Sequence, residues 1–135
     1  MALTIICVTG PSSTGKSSII RKFTARHLKY VRAKGDILGI FPMPRRGYAV
    51  GVTGSGDHLK FILKGREFLT RYEGLRVMIV ASRSGGKTIR DVERFAKHAK
   101  ATLHLIVTEK LAGTGERNAA ISTNVSKIKR FMPRS

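Results

Sequence analysis

Residues 3–17 read Leu3-Thr4-Ile5-Ile6-Cys7-Val8-Thr9-Gly10-Pro11-Ser12-Ser13-Thr14-Gly15-Lys16-Ser17. The first seven form an apolar, partly β-branched run, the pattern of a strand buried on both faces. From Ser17 to about Val31, Ile19, Ile20, Phe23, His27, Leu28 and Val31 recur at helical spacing, with Arg21, Lys22, Arg26 and Lys29 between them. That predicts an amphipathic helix. Between strand and helix, residues 10–17 satisfy G-x-x-x-x-G-K-[ST] at every defined position. Gly10 lets the chain leave the strand, and Gly15 admits an anion with no Cβ in the way. The loop N–H groups and the positive end of the helix dipole then line a nest for phosphate.

Outward from this unit the chain alternates. Residues 37–41 and 48–53 read as two strands joined by Pro42-Met43-Pro44-Arg45-Arg46-Gly47, a connection too short for a parallel crossover. They should form an antiparallel hairpin at a sheet edge, where prolines are tolerated. Residues 58–72 read as a helix, 75–81 as a fourth strand, 88–100 as the clearest helix and 102–108 as a fifth strand. Residues 110–135 are weakly patterned and basic, with one short helix near 122–131. The expectation is a single domain over 1–135 of the α/β class. Its three α/β/α layers would surround a mainly parallel five-stranded sheet with an antiparallel hairpin edge.

Together these residues resemble the P-loop NTPase superfamily, by motif over 3–31 and by topology over 32–108, with a small GTPase-like or kinase-like core. The resemblance implies a nucleoside triphosphate, ATP by default, bound with Mg²⁺. Gly10, Ser12, Ser13, Thr14, Gly15, Lys16, Ser17 and Ser18 would form its cradle. Lys16 would reach the β- and γ-phosphates and Ser17 would hold the metal. In GTPase-type domains the third strand ends in D-x-x-G; here Thr53-Gly54-Ser55-Gly56 keeps the glycine and loses the acid. Thr108-Glu109-Lys110-Leu111 stands where a guanine-reading N-K-x-D would fall, which disfavours guanine.

The resemblance also implies an acid at the end of a neighbouring strand, holding the metal through water. The chain has eight acids: Asp36, Asp57, Glu67, Glu73, Asp91, Glu93, Glu109 and Glu116. Most fall within or beside helices, where solvated charge explains them. Asp36 opens the second strand, at the wrong end if that strand is antiparallel to its neighbour. Asp57, at the exit of the third strand beside the expected loop, is the best choice. Its other reading is an N-cap for the following helix. A second glycine stretch, Ser82-Arg83-Ser84-Gly85-Gly86-Lys87-Thr88, has Ala81 where a first loop glycine would be. It places Arg83 or Lys87 to offset charge developing on the γ-phosphate. Alternatively it is a plain strand–helix turn capped by Thr88. His27, His98 and His104 share no metal spacing, and Cys7 reads as a small core residue.

Composition bounds the rest. A chain of 135 residues, 41% hydrophobic and 25% charged, is that of one folded domain. A single cysteine excludes a disulfide framework, and no apolar run reaches the ~18 residues of a membrane span. The start lacks a basic n-region and does not read as a signal peptide; a reduced, cytoplasmic setting is expected. Lys and Arg number 26 against 8 Asp and Glu, leaving +18. That surface attracts polyanions. Two classes of function follow. One is an ATP hydrolase or phosphotransferase, a small-molecule or nucleotide kinase being one variant, with Lys16, Asp57 and Arg83 as its working side chains. The other is a DNA- or RNA-binding module in which the nucleotide is structural or regulatory. Its phosphate contacts would be Pro44-Arg45-Arg46-Gly47 and Lys127-Ile128-Lys129-Arg130-Phe131, with Tyr48 or Phe131 stacking on bases. An acidic protein partner is the third outlet for the charge.

Overall fold

The structure is a computed structural model that describes residues 3–11, 15–53, 67–68, 71, 74–82, 86–109, 111 and 113–134, with backbone alone at 86–88. Its elements in chain order are β1 (Thr4–Thr9), α1 (Lys16–His27), β2 (Leu38–Met43), β3 (Tyr48–Thr53), β4 (Leu75–Ser82), α2 (Gly86–His98), β5 (Thr102–Val107) and α3 (Thr114–Phe131). The sheet has five strands in the order β2-β3-β4-β1-β5. β1 pairs in parallel with both β4 and β5, and β3 with β4; β2 pairs antiparallel with β3, Met43 opposite Tyr48. The α/β class, the mostly parallel sheet and the hairpin edge are therefore as the sequence predicts. The helix expected over 58–72 lies almost wholly outside the described residues; Glu67, Phe68 and Arg71 are helical, and Arg71 pairs with Glu67 at 3.2 Å.

Alternation along the strands builds two cores. Ile6, Val8, Val50, Val52, Val77, Ile79 and Ile106 face one way, under Ile19, Ile20 and Phe23 of α1 and Val125 and Ile128 of α3. Ile5, Cys7, Met78 and Val80 face the other way, under Val92 and Ala96 of α2. Both faces of β1 and β4 are covered, which is why those strands read as continuous apolar runs. A Cβ on Gly51 of β3 would stand 3.0 Å from Phe68 Cδ2 and 3.2 Å from Leu75 Cδ1, so a larger residue there needs those side chains to give by a few tenths of an ångström. Among the described residues, no helix is long and apolar enough to cross a membrane.

Three expectations are corrected. α1 ends at His27, not near Val31, because Lys29 adopts φ +57° and turns the chain out, leaving Val31 80% exposed. α2 starts at Gly86, so Thr88 lies inside the helix and is not its cap. The tail carries an 18-residue helix in place of a short one. Its apolar stripe, Ile121, Val125, Ile128 and Met132, is narrow and interleaved with Ser, Thr and Asn, which are poor helix formers. It is helical because packing against α1 outweighs propensity.

Candidate functional site

β1 ends at the C-terminal edge of the sheet, where the Gly10 N–H donates to Ser82 O at 3.3 Å and ties the start of the loop to the end of β4. Gly15 closes the loop in the left-handed region, φ +84° and ψ 18°, which a side chain would strain. It is also the N-cap of α1, with no side-chain cap bond and no acid in the first turn. The first turn therefore carries no acid of its own, and the leading N–H groups and positive dipole end face the loop. Lys16 folds back over the loop, its Nζ donating to Gly10 O at 2.6 Å and to Pro11 O at 3.4 Å. That bend puts an ammonium at the loop mouth.

One turn further along, Arg21 organises the other wall. Its guanidinium donates to Gly35 O at 2.9 Å and to Ser18 Oγ at 3.3 Å, and so holds the segment before β2 against α1. Asp36 is thereby presented to Ser17, whose Oγ donates to Asp36 Oδ1 at 3.2 Å. The expectation that Asp36 lies at the wrong end is wrong. A strand antiparallel to its neighbour starts where that neighbour finishes, and Leu38 pairs with Thr53 at the same edge as the loop. The hairpin reading already contained this consequence.

β4 lies between β3 and β1, so the end of β3 is not next to the loop; it stands two strand spacings, ~10 Å, from β1. Asp57, Arg83 and the loop tip Ser12, Ser13 and Thr14 lie outside the described residues. Of the expected site residues, the structure brings Gly10, Gly15, Lys16, Ser17 and Ser18 together. At the same edge Thr9 Oγ1 and Thr53 Oγ1 are buried and find no hydrogen-bond partner among the described residues.

A cavity of about 200 Å³ opens beside Gly15 and Ser18 and is walled by Glu109, Leu111, Arg117 and Asn118. It is smaller than the ~300 Å³ at which sites for whole drug-sized ligands begin, so it suits one ring system. Sequence reading missed it, since half of its wall comes from a helix whose start carries no clear periodicity. Cys7 is packed in the core against Ser82, Sγ to Oγ 3.2 Å, and burial pushes its thiol up to about 11. It stays protonated at neutral pH, as a core residue should. Among the described residues, no group of three or more His, Cys, Asp or Glu could hold a metal ion by itself. Ser17 and Asp36 are nonetheless hard oxygen donors of the kind Mg²⁺ takes one or two of, alongside phosphate oxygens and water. No family model matches the chain, and neither a curated protein nor a solved structure is significantly similar to it.

Proposed function

We propose that this chain binds ATP with Mg²⁺ at residues 10–18 and hydrolyses it or transfers its γ-phosphoryl group. The observation that carries the reading is the uncapped, acid-free start of α1, with Lys16 folded over it and Ser17 joined to Asp36. A terminus that supplies N–H donors, an ammonium and a hydroxyl within one turn is built for a triphosphate. The N–H groups of the first turn hold phosphate oxygens and Lys16 neutralises the β/γ end. Ser17 and Asp36 give the metal a hydroxyl and, directly or through water, a carboxylate. Held there, Mg²⁺ would supply Lewis-acid stabilisation of the negative charge that builds up on the triphosphate. The cavity beside Gly15 takes the nucleobase. Asn118 and Glu109 offer acceptors to an adenine amino group, and Asn118 offers a donor to a ring nitrogen.

Calorimetric titration of the full chain with ATP, with and without Mg²⁺, tests the reading, followed by a phosphate-release assay. Lys16→Ala should weaken ATP binding by about 2 kcal/mol, the scale of a charge-assisted hydrogen bond. Equal affinity in a Lys16→Ala protein with an unchanged circular dichroism spectrum would overturn it.

A further inference from the structure

The end of the molecule opposite the loop is built from three chain segments. α1 and α3 both begin at the loop edge and run back, so they finish together, with Arg26 and His27 in the last turn of one and Lys129 and Arg130 in the last turn of the other. The β2–β3 turn comes to the same place: Arg46 Nη1 donates to Pro133 O at 2.9 Å, and the Tyr48 hydroxyl donates to the same carbonyl. Arg26, Arg45 and Arg130 are exposed, while Arg46 and Lys129 are half-buried. The two basic segments that the sequence separates by some eighty residues are thus one surface. Burial and the neighbouring Lys129, Arg26 and Arg46 depress the pKa of His27, and burial and Arg46 depress that of Lys129. These cations are close enough to repel one another.

No acid among the described residues offsets them. Asp36 sits against Ser17, and Glu109 and Glu116 lie at the end of β5 and the start of α3, all at the loop edge. Asp91 and Glu93 are on α2 and Glu67 adjoins Phe68, both on the far face of the sheet. The two helix C-termini contribute roughly half a negative charge each. That offsets one cation of five.

We propose that this end surface binds the phosphodiester backbone of nucleic acid, independently of the nucleotide site and without reading sequence. Of its five permanent charges, the three besides Lys129 and Arg46 are exposed arginines, whose forked donors match phosphate oxygens. Arg46 and Tyr48 tie the turn to the chain just after α3, so the three exposed arginines project from fixed backbone positions on two helix ends and a turn. Fixed points suit phosphates at regular spacing; a fluid anionic bilayer favours flexible polybasic chains. The sequence expectation of base stacking is corrected here: Tyr48 is buried with its hydroxyl engaged, and Phe131 is stacked on His104 with ring centroids 4.3 Å apart. The contact is with the backbone alone.

Fluorescence anisotropy of the full chain with mixed-sequence DNA duplex, single-stranded RNA and phosphatidylserine vesicles, across a salt series, decides the matter. Duplex or single strand should bind at low salt with affinity falling steeply as salt rises. The triple variant Arg26→Gln, Arg45→Gln, Arg130→Gln should bind at least tenfold more weakly and flatten the log–log salt slope by about 2 to 3 units, near 0.9 for each duplex phosphate lost. Its ATP affinity should be unchanged. A matched variant on the far face, Arg90→Gln, Arg94→Gln, Lys97→Gln, should keep the full slope. Failure of both nucleic acids to bind at low salt, binding to vesicles alone, or equal loss in the two triple variants would each overturn the proposal.

Discussion

Asp36 is an exposed carboxylate 3.2 Å from the hydroxyl of Ser17, on a chain with few acids to spare. A salt bridge at that exposure would contribute little to stability, at most about 1 kcal/mol, and Asp36 shows no basic partner among the described residues. In the proposed site its carboxylate serves the metal beside Ser17. Asp36→Asn keeps the shape and removes the charge, so ATP affinity without Mg²⁺ should hold or rise as repulsion of the triphosphate is relieved. The increment that Mg²⁺ adds should shrink about tenfold, ~1.4 kcal/mol. Titrations of ATP with and without the metal read the two effects separately. An undiminished Mg²⁺ increment in Asp36→Asn would remove Asp36 from the site while leaving the Lys16 test standing. The place of Asp36 is implied by the hairpin itself, since a strand antiparallel to β3 begins where β3 ends.

At the scale of elements, local pattern and what it omits separate cleanly. β1, β3, β4 and β5 stand within a residue or so of their expected positions, and β1 and β4, covered on both faces, leave an unmistakable apolar run. Of the expected loop, Gly15 stands in the left-handed conformation that favours glycine and begins the helix, while Ser12, Ser13 and Thr14 lie outside the described residues. α3 was under-read. Its stripe is held by Val125 and Ile128, both fully buried against β1, β4 and α1, while most of its remaining surface is polar. Such a helix is stabilised by tertiary contact, which no window of sequence displays. Ile128→Ala should therefore cost about 2–5 kcal/mol in urea unfolding, the range for emptying a packed aliphatic site. Lys127→Ala, on the exposed side of the same turn, should stay within ~0.5 kcal/mol. A small loss at Ile128 would mean that the tail is an appendage and not a wall of the core.

For the whole molecule, what the sequence could not reveal is adjacency. Strand order depends on which edges pair, and periodicity is silent on that, so the insertion of β4 between β3 and β1 was not foreseen. The same holds for the meeting of Arg46 with Lys129 and His27, which gives the molecule a measurable response to pH. The folded chain favours neutral His27, because burial first and then Lys129, Arg26 and Arg46 push its pKa below the ordinary value. The unfolded chain titrates near that ordinary value, about 6.5. Above it both states carry a neutral imidazole and the group adds nothing to the pH dependence. As pH falls through it, the unfolded state takes up a proton that the folded state resists, so stability declines and levels off below the folded pKa. The urea midpoint should accordingly be lower at about pH 5 than at about pH 7.5, and His27→Gln should reduce the difference. Nucleic acid bound at this end would screen Lys129, Arg26 and Arg46, so the ring protons of His27 should titrate at higher pH in the complex than in the protein alone. A His27 that titrates at or above the ordinary value without nucleic acid would show that these cations do not crowd it.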